Sequence, residues 1–160
     1  MLPYHFECIV EVSAAADAVF SYLDDHTRLS VHMSNSSWMM AGSRMAINLD
    51  TSQGRTVGAR IRLRGRVLGI PLFVEEIVTE RNPPLRKVWD TTGRPQLLVI
   101  GPYRMGYEIT PKDNASLLRV FVDYALPVGP FSRWLGRLFG HFYARWCTQR
   151  MADDAAEHFQ

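Results

Sequence analysis

A chain of 160 residues is long enough for one domain with a substantial core and too short for two ordinary ones. With 47% hydrophobic and 21% charged residues it has the composition of a folded globular protein, which excludes a disordered chain. The formal net charge of +2 gives no general polyanion-binding signal, so no nucleic-acid partner is expected. Met1 to Val12 carries Glu7 and Glu11 and alternates like a strand, without the basic start and apolar run of a signal peptide. Later apolar stretches are cut by Gly101, Pro102, Arg104, Asp123 and Arg133, short of the about 20 residues of a membrane span. A single cytoplasmic domain over residues 1–160 is the expectation. Cys8 and Cys147 lie far apart without CxxC spacing and are expected as free thiols.

Tyr4 to Val12 reads as a first strand. Ser13 to Ala16 break the alternation, and Ala16, Val19, Phe20 and Leu23 then recur at helical spacing, with Asp17 in the first turn. A second short helix is expected over 26–33, followed by a polar loop at Ser34 to Ser37. From Trp38 the period is two. Strands are predicted over 38–50, 56–67, 70–81, 85–92, 96–110 and 116–126, with turns at Ser52–Gly54, Gly69, Asn82–Pro84, Gly93–Pro95 and Pro111–Asn114. Short connections imply an antiparallel meander.

Gly129 and Pro130 then open a helix that runs to Phe159, proline at the first helical position losing no hydrogen bond. At 100° per residue Phe131, Trp134, Leu135, Leu138, Phe139, Phe142 and Trp146 share one side. This stripe needs a large concave partner or a bilayer interface. The sheet has first claim, because nothing else would cover its inner face, so membrane contact is the less favoured reading. After Trp146, Gln149 and Asp153 occupy the same angles. The helix is therefore expected to pack through its first half, with its second half over a cavity mouth or in solvent.

One strand, two small helices, six strands and a long helix make an α+β chain in which a seven-stranded antiparallel sheet curves round the C-terminal helix, the helix-grip fold. Here the sequence resembles the START-like, or SRPBCC, superfamily and its bacterial polyketide cyclase/dehydrase-like branch. The resemblance rests on Val12–Leu23 (VSAAADAVFSYL), Val57–Leu63 (VGARIRL), Ile77–Pro84 (IVTERNPP) and the closing strand and helix. It implies a deep cavity between sheet and helix for an apolar or amphipathic small molecule, with no cofactor. The superfamily includes lipid carriers, hormone binders, cyclases and co-chaperones, and the fold alone does not choose among them.

One parity of each strand should face that cavity. Leu118, Val120, Val122, Tyr124 and Leu126 form one inner set, and Leu97, Val99, Tyr103, Met105, Tyr107 and Ile109 another, with a bulge expected at Gly101–Pro102. The ligand-binding candidates are Met45, Val99, Tyr103, Tyr107, Val122, Tyr124, Phe142 and Trp146. Each tyrosine has the alternative of being ordinary core. Among Met33, Met39, Met40, Met45 and Met105, gap filling explains the methionines without a ligand.

For catalysis the candidates are His32, Glu75, Glu76, Arg44, Tyr103 and Tyr107. Whichever of Glu75 and Glu76 faces inward would have its pKa raised in apolar surroundings, as a general acid needs. The plainer expectation is that both pair with arginines across the hairpin. Arg60, Arg62, Arg64 and Arg66 stand about 6.8 Å apart on one strand face, a solvated face or an interaction surface. His26 and His32 lack metal-ligand spacing, and Asp154 with His158 makes only two ligands, so no metal is expected. The leading expectation is binding or carriage of a small hydrophobic or aromatic ligand. A cofactor-independent cyclase or dehydratase and a protein-interaction module on the arginine face are the alternatives.

Overall fold

The computed structural model describes residues 1–29 and 44–160. Its strands are β1 (Tyr4–Val12), β2 (Arg44–Leu49), β3 (Arg60–Val67), β4 (Ile70–Asn82), β5 (Arg86–Gln96), β6 (Tyr103–Pro111) and β7 (Ser116–Tyr124). Its helices are α1 (Ala16–Leu23), α2 (His26–Leu29) and α3 (Pro130–His158). The strands form one antiparallel sheet in the order β1-β7-β6-β5-β4-β3-β2. This is the seven-stranded helix-grip architecture, with the first strand closing beside the last. The expected strand start over 38–43, the loop 34–37, the end of the second helix, and His32, Met33, Met39 and Met40 lie outside the described residues.

Alternation sets which strand face is inside. Ile61, Leu63 and Val67 of β3 are buried while Arg60, Arg62 and Arg64 are exposed. Tyr103, Met105, Tyr107 and Ile109 of β6 and Leu118, Val120, Val122 and Tyr124 of β7 are buried as the parity predicts. Leu68 and Gly69, both at positive φ, make the two-residue β3–β4 turn that matches strand twist. The turn expected at Gly93–Pro95 is instead absorbed into β5. Phe73 pairs with Gln96 and Glu75 with Thr92, so the segment bulges there, and Leu97 to Pro102 forms the connection to β6.

α1 buries Ala16, Val19, Phe20 and Leu23, the large ones at about 1.5–3 kcal/mol each. It ends at Asp24, which is 6% exposed. Lys87 of β5, wholly buried, donates to Asp24 Oδ1 at 2.7 Å, and Arg81 of β4 donates to Oδ2 at 2.8 Å. Burial alone would raise the Asp24 pKa, but the hydrogen bonds from Arg81 and Lys87 outweigh it and hold the carboxyl low. Burial lowers Lys87. This ion triad ties the end of α1 to the middle of the sheet.

α3 corrects the sequence reading. Its buried residues include Gly136, Gly140, Ala144, Cys147, Met151 and Ala155. The aromatic stripe faces the other way, with Phe131 and Phe142 each 64% exposed and Trp134 57% exposed. The reason is spacing. A methyl group on Gly136 or Gly140 would lie 2.9 Å from the Val99 carbonyl oxygen, so the helix backbone itself rests on the β5–β6 connection. No room remains for large side chains on that side. The second half, expected over a cavity mouth or in solvent, is not left in solvent but is buried on its inner face. Met151, Ala152 and Ala155 are buried there, and His158 stacks on Tyr22 of α1 at 4.4 Å.

Two stability predictions follow from these contacts. Gly140→Val should cost about 1–3 kcal/mol in urea unfolding by forcing the helix off Val99, while Phe142→Ser should stay within about 0.5 kcal/mol. Asp24→Ala leaves Lys87 buried without a counter-charge and should cost about 3–5 kcal/mol. Asp24→Leu combined with Lys87→Met should recover most of that loss.

Candidate functional site

Beneath the middle of α3 lies a cavity with about 50 Å³ of space for the centres of water molecules, several times the about 10–15 Å³ that one water needs. The helix contributes Tyr143, Ala144, Cys147 and Met151 to its wall. The sheet contributes Leu63, Glu76, Trp89, Tyr103, Met105 and Val122, while Leu97 and Ile100 come from the β5–β6 connection and His26 and Leu29 from α2. Most of this lining is apolar, with a few polar atoms set into it.

Glu76 is one of them. It follows Val74 on the inner parity of β4 and is 5% exposed. Tyr103 of β6 donates its hydroxyl to Glu76 Oε1. Burial pushes the Glu76 pKa up to about 7, against the opposing pull of the Tyr103 hydroxyl, the Trp89 side chain and Lys87. Burial and the neighbouring Glu76 keep Tyr103 well above the ordinary phenol value, so it is a donor at neutral pH.

His26 is 1% exposed and opens α2 just after the Asp24 triad. Burial, with Lys87 nearby, lowers its pKa to about 3, so the ring is neutral. It packs edge-on against Trp89 at 5.1 Å. Gly54, at φ 73°, brings the β2–β3 loop so close that a methyl group there would sit 2.7 Å from His26 Cδ2. His26 Nε2 has no hydrogen-bond partner among the described residues. On the helix side, burial raises the Cys147 thiol to about 12, so it is not a thiolate nucleophile.

The two glutamates separate by parity. Glu75 faces out and accepts from Arg60 and Arg62, each at 2.6 Å, and from Thr92 at 3.0 Å. That is the expected cross-strand pairing. For Glu76 the expectation of an arginine partner was wrong, since its parity turns it into the cavity. His32 and the Arg44 side chain lie outside the described residues.

Of the ligand-binding candidates, Tyr103 and Val122 line the cavity. Tyr107 is fully buried against Phe20 and Trp89, its hydroxyl without a partner among the described residues, and Tyr124 is buried and stacked on Tyr4. Met45 is buried in the core and, like these two, is not among the described wall residues. Val99 is half-buried and presents its carbonyl to the helix glycines. Trp146 is half-buried beside Tyr143 at 6.0 Å, and Phe142 lies on the outer face. Sequence reasoning missed His26, Trp89, Tyr143 and Cys147. The available signal was the run of small residues at Gly136, Gly140 and Ala144, which marks the inner face of α3 and with it Tyr143 and Cys147 as neighbours.

No family model and no curated protein matches this chain. Solved structures match over nearly its whole length. The Zhui aromatase/cyclase from Streptomyces sp. R1128 superposes with a TM-score of 0.69 at 14% identity, over 97% of this chain and 92% of that one. Norcoclaurine synthase from Thalictrum flavum, in complex with dopamine and hydroxybenzaldehyde, gives 0.65 at 13% identity, over 96% and 84%. Ara h 8.0201 gives 0.67 at 11% identity, over 98% and 97%. The chain therefore has the fold that its resemblance to the START-like superfamily implied.

The cavity groups predict a pH dependence of stability. His26, lowered from 6.5 to about 3, makes the folded state lose stability as pH falls below 6.5, because the unfolded chain binds that proton first. Glu76, raised from 4.5 to about 7, contributes stability that is full below 4.5 and lost as pH rises to 7. Their slopes oppose between 4.5 and 6.5. In Glu76→Gln the melting temperature should rise with pH across that window more steeply than in wild type. Parallel profiles would show that Glu76 is an ordinary carboxylate.

Proposed function

We propose that this protein binds a small, flat, mostly apolar molecule, about one aromatic ring in size and carrying a hydroxyl or carbonyl group, in the cavity beneath α3. The observation that carries this reading is the buried Glu76–Tyr103 pair on an otherwise apolar wall. Apolar surface supplies the affinity and a few placed polar groups fix the orientation, the usual division in small-molecule sites. Glu76, with a pKa near neutrality, donates to a carbonyl when protonated and accepts from a hydroxyl when ionised. The Nε2 of His26, without a partner among the described residues, is a second polar contact that a ligand can complete. A structural neighbour holding dopamine and hydroxybenzaldehyde supports the size class.

A second reading, a cofactor-independent cyclase or dehydratase, is favoured by that same pKa of about 7. General acid–base catalysis is most efficient when the group titrates near the working pH. Ionised Glu76 would take a proton from the carbon next to a carbonyl, and protonated Glu76 would return it to a departing hydroxyl, which leaves as water. The interaction-module reading has less support, because Glu75 already engages Arg60 and Arg62.

Hydroxybenzaldehyde, titrated against the purified protein by thermal shift and calorimetry, tests the binding reading. Binding should raise the melting temperature, and Ala144→Leu or Val122→Phe, which fill the cavity, should weaken it at least tenfold while the protein stays folded. Unchanged affinity in both filled variants would sink the assignment. Glu76→Gln should alter the pH dependence of affinity around pH 7.

A further inference from the structure

We propose that the outer face of α3, from Phe131 to Arg145, docks on the surface of an anionic lipid bilayer. Phe131, Trp134, Leu138, Phe139 and Phe142 are each more than half exposed, and 100° steps place them along one side of the helix. Val128, just before the helix, is 89% exposed. The opposite side of the same helix is the one that packs, through Gly136, Gly140 and Ala144. Core formation therefore does not account for the stripe, and a contiguous exposed apolar patch of this kind marks a contact surface.

Charge selects the occupant. Arg133, Arg137 and Arg145 are exposed on this segment, and none pairs with a carboxylate among the described residues. From Ala125 to Ala152 the sequence contains no Asp or Glu. Arg60, Arg62, Arg86 and Arg119 on the sheet, by contrast, have carboxylate partners, although Arg64, Arg66 and Arg104 have none among the described residues. By 100° steps Arg145 lies within the apolar stripe and Arg133 and Arg137 lie round the helix from it. Exposed apolar side chains on a helical segment whose unpaired charges are all cationic suit a bilayer interface, apolar face in the acyl boundary and cations toward anionic headgroups. Among the described residues no helix is long and apolar enough to cross a membrane, so the contact is a surface one. A second copy placed on this face would bring arginine against arginine with no acidic residue to meet it.

Sedimentation of the full chain with vesicles tests the proposal, using equal phosphatidylglycerol and phosphatidylcholine in one arm and phosphatidylcholine alone in the other. Binding should favour the anionic vesicles and fall as salt is raised. Phe131→Ser/Trp134→Ser/Phe142→Ser should abolish it, and Arg133→Gln/Arg137→Gln/Arg145→Gln should weaken it about fivefold per arginine. Both variants should melt close to wild type, since the altered side chains are exposed. Absence of binding to anionic vesicles, or binding that persists in both variants, would overturn the proposal. A wild-type dimer that becomes monomeric in the serine variant would also overturn it, assigning the face to self-association.

Discussion

The closeness of α3 to the β5–β6 connection governs much of this structure. Gly136 and Gly140 rest on the Val99 carbonyl, and Gly136 also meets Pro127. At that distance the helix presents backbone to the connection, and Phe131, Trp134, Leu138, Phe139 and Phe142 are turned outward. Further along, Tyr143, Cys147 and Met151 replace glycine on the inner face. Larger side chains of irregular shape pack less completely than backbone on backbone, and the cavity opens where they begin. One spacing therefore accounts for the tight seam, the cavity beside it and the apolar outer surface.

The Asp24 triad performs a complementary task at the other side of the cavity. Asp24 ends α1, and the next elements must turn sharply to cover the sheet. Anchoring that turn on Lys87 and Arg81 sets where α2 begins, and so where His26 meets Trp89. A buried ion pair is weak evidence for stability but strong evidence for a defined geometry when all its partners are satisfied. Here the geometry it defines is that of a cavity wall.

Much of the fold was legible because strand alternation is a two-way choice. Buried Tyr103 and Val122 against exposed Arg60 and Arg62 need only the parity of neighbours. The same rule held both glutamates in view, and only the register, which pairs Arg62 with Glu75, decided that Glu76 points inward. The helix was misread for a physical reason. A stripe of Phe131, Trp134 and Phe142 outweighs any other face by hydrophobicity, but the distance available to a helix is set by its small residues, and Gly136 and Gly140 carry no weight on a hydrophobicity scale. Lys87 was illegible for a similar reason, since its charge argues for the surface until Asp24, distant in sequence, is placed beside it.

The polar groups on the cavity wall are unequal in one further respect. His26 takes a proton only in strong acid, Cys147 keeps its proton until strong base, and Tyr103 and Tyr143 hold theirs well above the ordinary phenol range. Between those limits Glu76 is the one described wall residue that changes charge. The cavity thus behaves as a two-level electrical system, neutral or singly negative, with a single proton separating the levels near pH 7. A guest that carries an amine and a guest that carries a carbonyl would each stabilise a different level, and the chemical nature of the occupant would be written in whether its entry releases a proton or takes one up.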